Sequence, residues 1–328
     1  MKKYNVLVTR KIPQKALDYL KSEGVTLDIN EEDRVLTYDE IKERIKGKDG
    51  LLCLLTDKID GGIMDAAGEQ LQAIVNYAVG YNNINVEDAT KRGIPVTNTP
   101  GVLTETTADL AFALMLSIAR RIVESDKYTR KGLFKGWGPL LHLGGGIFEK
   151  TLGIIGMGRI GSAVAYRAAK GFNMKIKYYS RNRNEKLENE LNMDYCSVEE
   201  IFKTADFITL HVPLNEETNH LIGEKELEMM KPTAYLINTS RGPVVKEDAL
   251  LNALKTNKIA GAALDVYEFE PQITKGLEEL ENVIITAHIG TATIETRTEM
   301  GMMVGRNLLA VFRGEEPPNC VNKEVYKS

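Results

Sequence analysis

Short apolar, β-branched runs alternate along the chain with longer stretches whose apolar residues recur at helical spacing. That alternation predicts parallel sheets with helices on both faces. In the first hundred residues, 4–9, 25–29, 51–55, 71–76 and 94–97 read as strands, with helices such as 13–22 and 38–46 between them. The breaker Asn98-Thr99-Pro100-Gly101 precedes Thr104, which reads as the N-cap of a long apolar helix reaching about residue 130. A domain boundary is expected there. A second strand series follows at 152–155, 175–179, 207–211, 234–238, 261–266 and 283–286, entered through Gly144-Gly145-Gly146, which suggests a flexible joint. One more helix, about 293–312, is stopped by Gly314 and Pro317-Pro318.

The 328 residues fit two domains at about 100–200 residues each. Forty-two basic and 46 acidic residues leave a net charge of −4 without a basic block. The usual electrostatic reason for binding nucleic acid or an anionic membrane is therefore missing, and small molecules are the expected partners. The longest uncharged apolar run, 110–119, is half the roughly 20 residues that span a bilayer, and the start lacks an apolar signal core. A cytoplasmic protein is expected. Cys53, Cys196 and Cys320 are odd in number and widely spaced, which argues against a disulfide framework or a metal site and for ordinary thiols.

At 152–161 an apolar strand runs into Gly156-Met-Gly158-Arg159-Ile160-Gly161 and then a helical stretch, 162–170. In this G-x-G-x-x-G pattern Gly156 makes the tight turn, Gly158 lets the backbone approach a pyrophosphate, and Gly161 lets helix and strand pack closely. The helix N-terminus then faces the anion, which points to dinucleotide binding. Where an Asp or Glu normally accepts from the adenosine 2′-hydroxyl, this chain carries Ser180-Arg181-Asn182-Arg183. A hydroxyl beside guanidinium groups favours a 2′-phosphate, hence NADP(H), with NAD(H) possible if the arginines are solvated or stack on adenine.

Three segments end strands of the second series: 237–243 with Arg241, 264–271 with Asp265 and Glu270, and 286–291 with His288 and Gly290. Carboxyl ends of parallel strands are where ligands bind in open α/β sheets. Hydride transfer to a carbonyl calls for these residue types: a guanidinium to anchor a carboxylate, an imidazole to supply a proton, and a carboxylate to orient it. A carboxylate beside an imidazole also favours the imidazolium that reduction needs near neutral pH. Spacing alone leaves His288 open between catalysis and a hydrogen-bonded structural role. His211 reads as structural or cofactor-side packing, and His142 and His220 as loop residues. Ser240 lacks the strand–turn–helix surroundings of a nucleophile elbow.

This series of motifs, with 76–80, 99–107, 210–213 and 238–244 among them, resembles the D-isomer-specific 2-hydroxyacid dehydrogenases over essentially the whole chain. The resemblance implies two doubly wound parallel-sheet domains: a Rossmann dinucleotide-binding domain, 101–292, and a discontinuous flavodoxin-like substrate domain, 1–100 plus 293–328. It implies an active site in the cleft between them and a homodimer built partly on the helix after Thr104. Arg241 becomes the substrate anchor, Glu270 the partner of His288, and His288 the acid in reduction and base in oxidation. Backbone N–H groups of Val79 and Gly80 would grip the substrate carboxylate, and Asp265 would contact the nicotinamide amide. Thr107, Val212, Pro213, Thr239 and Gly290 would lie along the cofactor.

The stretch from Trp137 to Gly146 most resembles the glyoxylate and hydroxypyruvate reductase branch, in which a tryptophan reaches over the neighbouring subunit's active site. A small 2-oxo acid, glyoxylate or hydroxypyruvate, is therefore the expected substrate, with reduction the expected direction. D-lactate dehydrogenase and the short phosphoglycerate dehydrogenases are the enzyme alternatives, and a dinucleotide-sensing corepressor-like protein is the non-enzyme one. Phosphite-oxidising relatives carry lysine where Val79 stands, and formate dehydrogenases carry glutamine where Glu270 stands.

Overall fold

The structure, a computed structural model, describes residues 3–327. The chain divides into two compact units, Met1–Leu103 with Thr291–Ser328, and Thr104–Gly290. In the first unit β1 (Asn5–Val8), α1 (Gln14–Ser22), β2 (Thr26–Ile29), α2 (Tyr38–Arg44), β3 (Gly50–Cys53), α3 (Gly61–Ala67), β4 (Ala73–Asn76), α4 (Val86–Lys91) and β5 (Val96–Thr97) follow in turn. The strands form a parallel sheet of order β2-β1-β3-β4-β5, the flavodoxin-like winding.

The second unit opens with α5 (Thr104–Ala119) and α6 (Ile122–Arg130). There follow β6 (Thr151–Ile155), α7 (Arg159–Phe172), β7 (Lys175–Tyr179), α8 (Glu185–Leu191), β8 (Asp194–Tyr195), α9 (Val198–Thr204), β9 (Phe207–Leu210) and α10 (Glu224–Met229). β10 (Tyr235–Asn238), α11 (Glu247–Lys255), β11 (Gly261–Leu264) and β12 (Val283–Ile285) complete it. Its sheet order, β12-β11-β10-β9-β6-β7-β8, reverses direction between β6 and β9, as in a Rossmann fold. The sheet is covered on both faces. One core layer gathers Ile201, Phe202, Leu236, Leu250 and Leu254; the other gathers Phe112, Met115, Leu152, Val164 and Tyr178.

The last helix, α12 (Ile294–Phe312), returns to the first unit and packs on α1 and β4. Its buried residues Met300, Gly301, Val304, Leu308 and Phe312 recur at helical spacing. Tyr4 stacks on Phe312 with ring centroids 4.0 Å apart, and its hydroxyl donates to the Phe312 carbonyl at 2.7 Å. Thr293 caps the helix by accepting from the Thr296 N–H. Among the described residues, no helix is long and apolar enough to cross a membrane. Cys53, Cys196 and Cys320 are free and buried.

Three local expectations need correction. The long helix after Thr104 is two helices, broken where Arg121 turns left-handed at φ 53°. The carbonyl of Ala119 accepts instead from the Gly145 N–H at 2.8 Å, so the turn is closed by chain that returns from about 25 residues away. Within the glycine run Gly144 is packed against other chain, while a Cβ on Gly145 or Gly146 would face open space. A Cβ on Gly144 would stand 2.3 Å from the Ala119 carbonyl oxygen. Finally, β8 is a two-residue edge strand beside β7, too short to register as a hydrophobic period.

The α1–α12 contact tolerates no added atom. A Cβ on Gly301 would lie 2.6 Å from Ala16 Cβ, and that atom cannot rotate away. Gly301→Ala is therefore expected to destabilise the first unit by about 1–3 kcal/mol, read as a lower denaturant midpoint. An unchanged midpoint would show that the helices separate freely.

Candidate active site

The glycine turn after β6 is built as its residue types require. Gly156 sits at φ 100°, and a Cβ there would lie 2.6 Å from the His211 carbonyl oxygen. A Cβ on Gly161 would collide with the Gly156 carbonyl oxygen at 2.1 Å, whereas Gly158 faces open space. Gly158 is also the N-cap of the 14-residue α7, so unpaired N–H groups and the positive end of the helix dipole meet on the open side of the turn. These residues fit a dinucleotide pyrophosphate. Arg159 is exposed and Ile160 half-buried at the start of α7.

Beyond β7 the loop 180–183 is tightly braced. Arg183 makes a forked ion pair with Glu188, with Nε and Nη2 within 2.7–3.0 Å of the carboxylate. Its guanidinium also lies 5.6 Å from the centre of the Tyr195 ring. Hydrogen bonds from Arg183 and Tyr178 hold the Glu188 carboxyl below its usual range. Arg183 thus helps to shape the loop. Arg181 is exposed and without a partner among the described residues. Ser180 is half-buried, its carbonyl accepting from the Tyr195 hydroxyl at 3.2 Å.

Arg241, Glu270 and His288 all follow strands of the second unit. Asn238, the last residue of β10, donates to the Arg241 carbonyl at 3.0 Å and accepts from the Ser240 N–H and hydroxyl. The chain then passes so close to the next loop that a Cβ on Gly242 would fall 1.8 Å from the Tyr267 carbonyl. Burial pulls the Arg241 pKa down, opposed by the nearby charge of Glu270; a guanidinium so placed remains a cation.

Glu270 accepts from the Tyr267 N–H at 3.0 Å through one oxygen and meets His288 Nδ1 at 3.0 Å through the other. Burial pushes its carboxyl up, but His288, the Tyr267 N–H and Arg241 outweigh burial and leave it below the ordinary glutamate value. His288 Nε2 has no partner among the described residues.

The His288 backbone is left-handed at φ 52°. Asp265, the residue after β11, is buried and accepts from Thr286 Oγ1 at 2.6 Å and from the N–H groups of Ile289 and Gly290 at 2.8 Å. Its carboxylate therefore clamps both sides of His288. Thr107, buried on α5, reaches the Gly290 carbonyl at 3.3 Å. Tyr267 donates to the Thr286 carbonyl at 2.6 Å.

The remaining expected residues are placed as follows. Val212 is half-buried and Pro213 exposed just beyond β9. Thr239 is buried, its hydroxyl unpaired. Trp137 is 86% exposed in the segment after α6. Val79 and Gly80 are half-buried beyond β4, in the other unit. The other histidines take no part in the Arg241–Glu270–His288 group. His211 meets Thr209 Oγ1 at 2.9 Å, with burial pulling its pKa down to about 4. His220 pairs with Glu268 at 2.6 Å, and His142 stands edge-on to Tyr128. No group of His, Cys, Asp or Glu that could hold a metal ion occurs among the described residues.

Sequence reasoning passed over Asn238, Gly242 and Tyr267. The available signal was an Asn at a strand end followed by Thr-Ser-Arg-Gly, a composition that folds back on itself through side-chain to backbone bonds.

Comparison with known proteins agrees with this geometry. Residues 112–290 match the D-isomer specific 2-hydroxyacid dehydrogenase NAD-binding domain. The glyoxylate reductase of Thermococcus litoralis is 51% identical over 330 aligned residues, covering 99% of each chain. A Thermus thermophilus protein of known crystal structure superposes with a TM-score of 0.91 at 44% identity, covering 97% of this chain and 99% of its own. The NADPH-dependent glyoxylate/hydroxypyruvate reductase of Sinorhizobium meliloti, crystallised with NADP and malonate, gives a TM-score of 0.85 at 32% identity, covering 98% and 97%. With its matched domain and full-length relatives, this chain belongs to the D-isomer-specific 2-hydroxyacid dehydrogenases, the NAD(P)-dependent oxidoreductases of 2-oxo and 2-hydroxy acids.

Proposed function

We propose that the protein reduces glyoxylate to glycolate, or hydroxypyruvate to the D-2-hydroxy acid, with NADPH preferred. The observation that carries the chemistry is the pairing of His288 Nδ1 with Glu270 at 3.0 Å, which leaves Nε2 for the substrate. Glu270 holds His288 through Nδ1, and His288 gives its Nε2 proton to the carbonyl oxygen as that oxygen becomes a hydroxyl. Arg241 forks the substrate carboxylate and draws electron density from the adjacent carbonyl. NAD(P)H, when bound, supplies the hydride that reaches the carbonyl carbon. His288 then recovers its proton from solvent, and in the reverse direction it acts as the base.

Gly156, Gly158 and Gly161 with the α7 N-terminus, including Arg159 and Ile160, hold the pyrophosphate. Thr107, Val212, Pro213, Thr239 and Gly290 line the cofactor, as the family resemblance implies. Asp265 serves chiefly through the His288 loop; its three donors leave about one of a carboxylate's roughly four acceptor positions for a carboxamide. Ser180 and Arg181 receive a 2′-phosphate, with Arg183 setting the loop. The name of the S. meliloti protein, with NADP in its crystals, supports that preference. Backbone N–H groups of Val79 and Gly80 take the substrate carboxylate.

The small substrate is supported by the T. litoralis relative named glyoxylate reductase. The exposed row Phe134, Trp137, Leu140, Leu143 and Phe148 supports a homodimer, because so much apolar surface near one loop marks an interaction site.

His288→Ala is expected to keep cofactor binding, measured by fluorescence titration, while kcat for glyoxylate falls by about 10²–10⁴. An unchanged kcat would remove His288 from proton transfer. Glu270→Gln keeps a hydrogen-bonding group beside Nδ1 but removes the charge, so kcat for glyoxylate should fall while cofactor binding holds; an unchanged kcat would mean that Glu270 only packs. Arg181→Ala should raise KM for NADPH about tenfold, the scale of one charge-assisted hydrogen bond, and leave KM for NADH nearly constant. Equal effects on both cofactors, or a wild-type preference for NADH, would defeat the 2′-phosphate assignment.

A further inference from the structure

Three successive carbonyls after β4 are anchored from behind. Ala78 O accepts from the Thr99 N–H at 2.9 Å, Val79 O from Asn98 Nδ2 at 2.8 Å, and Gly80 O from Asn76 Nδ2 at 2.8 Å. The N–H groups of Val79 and Gly80 themselves donate to nothing among the described residues. Each peptide is planar and trans, with its C=O and N–H pointing in opposite directions. A donor fixed on the Ala78 carbonyl therefore sets the direction of the Val79 N–H. A donor on the Val79 carbonyl does the same for the Gly80 N–H. Bonding the carbonyl also polarises the peptide and strengthens its N–H as a donor.

The amides that do this are themselves oriented. Asn83 Nδ2 donates to the carbonyls of Leu54 and Asp57 at 3.0 and 3.1 Å. Its oxygen is thereby turned to Asn76 Nδ2 at 3.3 Å, which leaves the other Asn76 N–H for Gly80. Asn98 is held through its own backbone: its N–H donates to the Asn319 carbonyl at 3.3 Å and its carbonyl accepts from Asn307 of α12 at 3.2 Å.

We propose that Asn98 is a positioning residue for the substrate carboxylate, aiming the Gly80 N–H without touching substrate, while Asn76 fixes the following peptide, which carries the Tyr81 N–H. The proposal rests on the reading that Val79 and Gly80 N–H groups take that carboxylate. Asn98 fixes the peptide that carries the Gly80 N–H. Its loss weakens binding of the carboxylate in ground and transition state alike, so KM rises while kcat holds.

The test uses full-length Asn98→Ala and Asn98→Leu, both neutral, the second nearly preserving volume. With saturating NADPH, KM for glyoxylate and the inhibition constant of oxalate are expected to rise together, about tenfold for one lost donor. kcat should stay within about threefold and cofactor affinity should not change. A folded variant whose KM and oxalate constant match the wild type overturns the proposal, as does a fall in kcat at constant KM. Loss of folded protein in both variants assigns Asn98 to the fold alone and overturns it equally. The underlying reading is checked separately in ¹⁵N-labelled wild type. Oxalate that binds without moving the Val79 and Gly80 amide resonances sinks that reading, whatever Asn98 does.

Discussion

The carboxylate of Asp265 holds His288 in a backbone conformation that an L-residue does not keep unaided. A single left-handed residue costs about 1–2 kcal/mol, and three donors on one buried carboxylate return more than that. With the Ile289 and Gly290 N–H groups on one side and Thr286 on the other, the imidazole leaves the chain at a fixed angle. Glu270 then completes the placement from Nδ1. A ring held by its backbone and by one nitrogen presents its second nitrogen without further adjustment, which is what a proton donor in a reduction needs.

The same device recurs beneath Glu270. Glu247, buried at the start of α11, accepts from the Glu268 N–H at 2.7 Å, and Glu268 accepts in return from the Glu247 N–H at 2.9 Å. Thr274 bonds Glu247 as well, and His220 closes on Glu268. The loop carrying Glu270 is therefore gripped on both sides of the functional carboxylate, at Glu268 and at Thr274. Arg241 is fixed by different means, the Asn238 turn and the side-chain-free passage at Gly242. Side chains aimed at backbone contribute to the position of each of the three, joined at His288 and Glu270 by side-chain pairs.

What could be read from the sequence was whatever is encoded locally. The apolar strands, the glycine turn and the order of the motifs depend on residues close together in the chain, and they appear in the structure within a few residues of where periodicity puts them. Features closed by distant chain stayed hidden. The break at Arg121 depends on Gly145, and β8 exists only because β7 offers an edge. The fate of Arg183 depends on Glu188, near in sequence but brought to it only by the turn into α8. Asp265 illustrates the limit from the other side. Its position in the motif was plain, but its use as a clamp on a left-handed histidine depends on φ at residue 288, which nothing in the local composition specifies.

The anchors in the two units differ in charge, and the reason is chemical. Around His288 and Glu270 the groups to be fixed are N–H donors, so carboxylates serve: Asp265, Glu247, Glu268; the Arg241 carbonyl takes the neutral amide of Asn238. In the first unit the groups to be fixed are the Val79 and Gly80 carbonyls, which need donors, and the donors are the neutral amides Asn98 and Asn76. A lysine could donate as well, but a mobile cation would compete with the N–H groups for an incoming carboxylate, and a carboxylate anchor would repel it. The nearby acid, Asp57, is contained: burial pushes its carboxyl up, and the Leu54 N–H and the Thr9 hydroxyl occupy it. On the proposed reading, neutral amides leave backbone N–H dipoles as the anion's donors, and an anion bound there would be recognised by direction and distance as much as by charge.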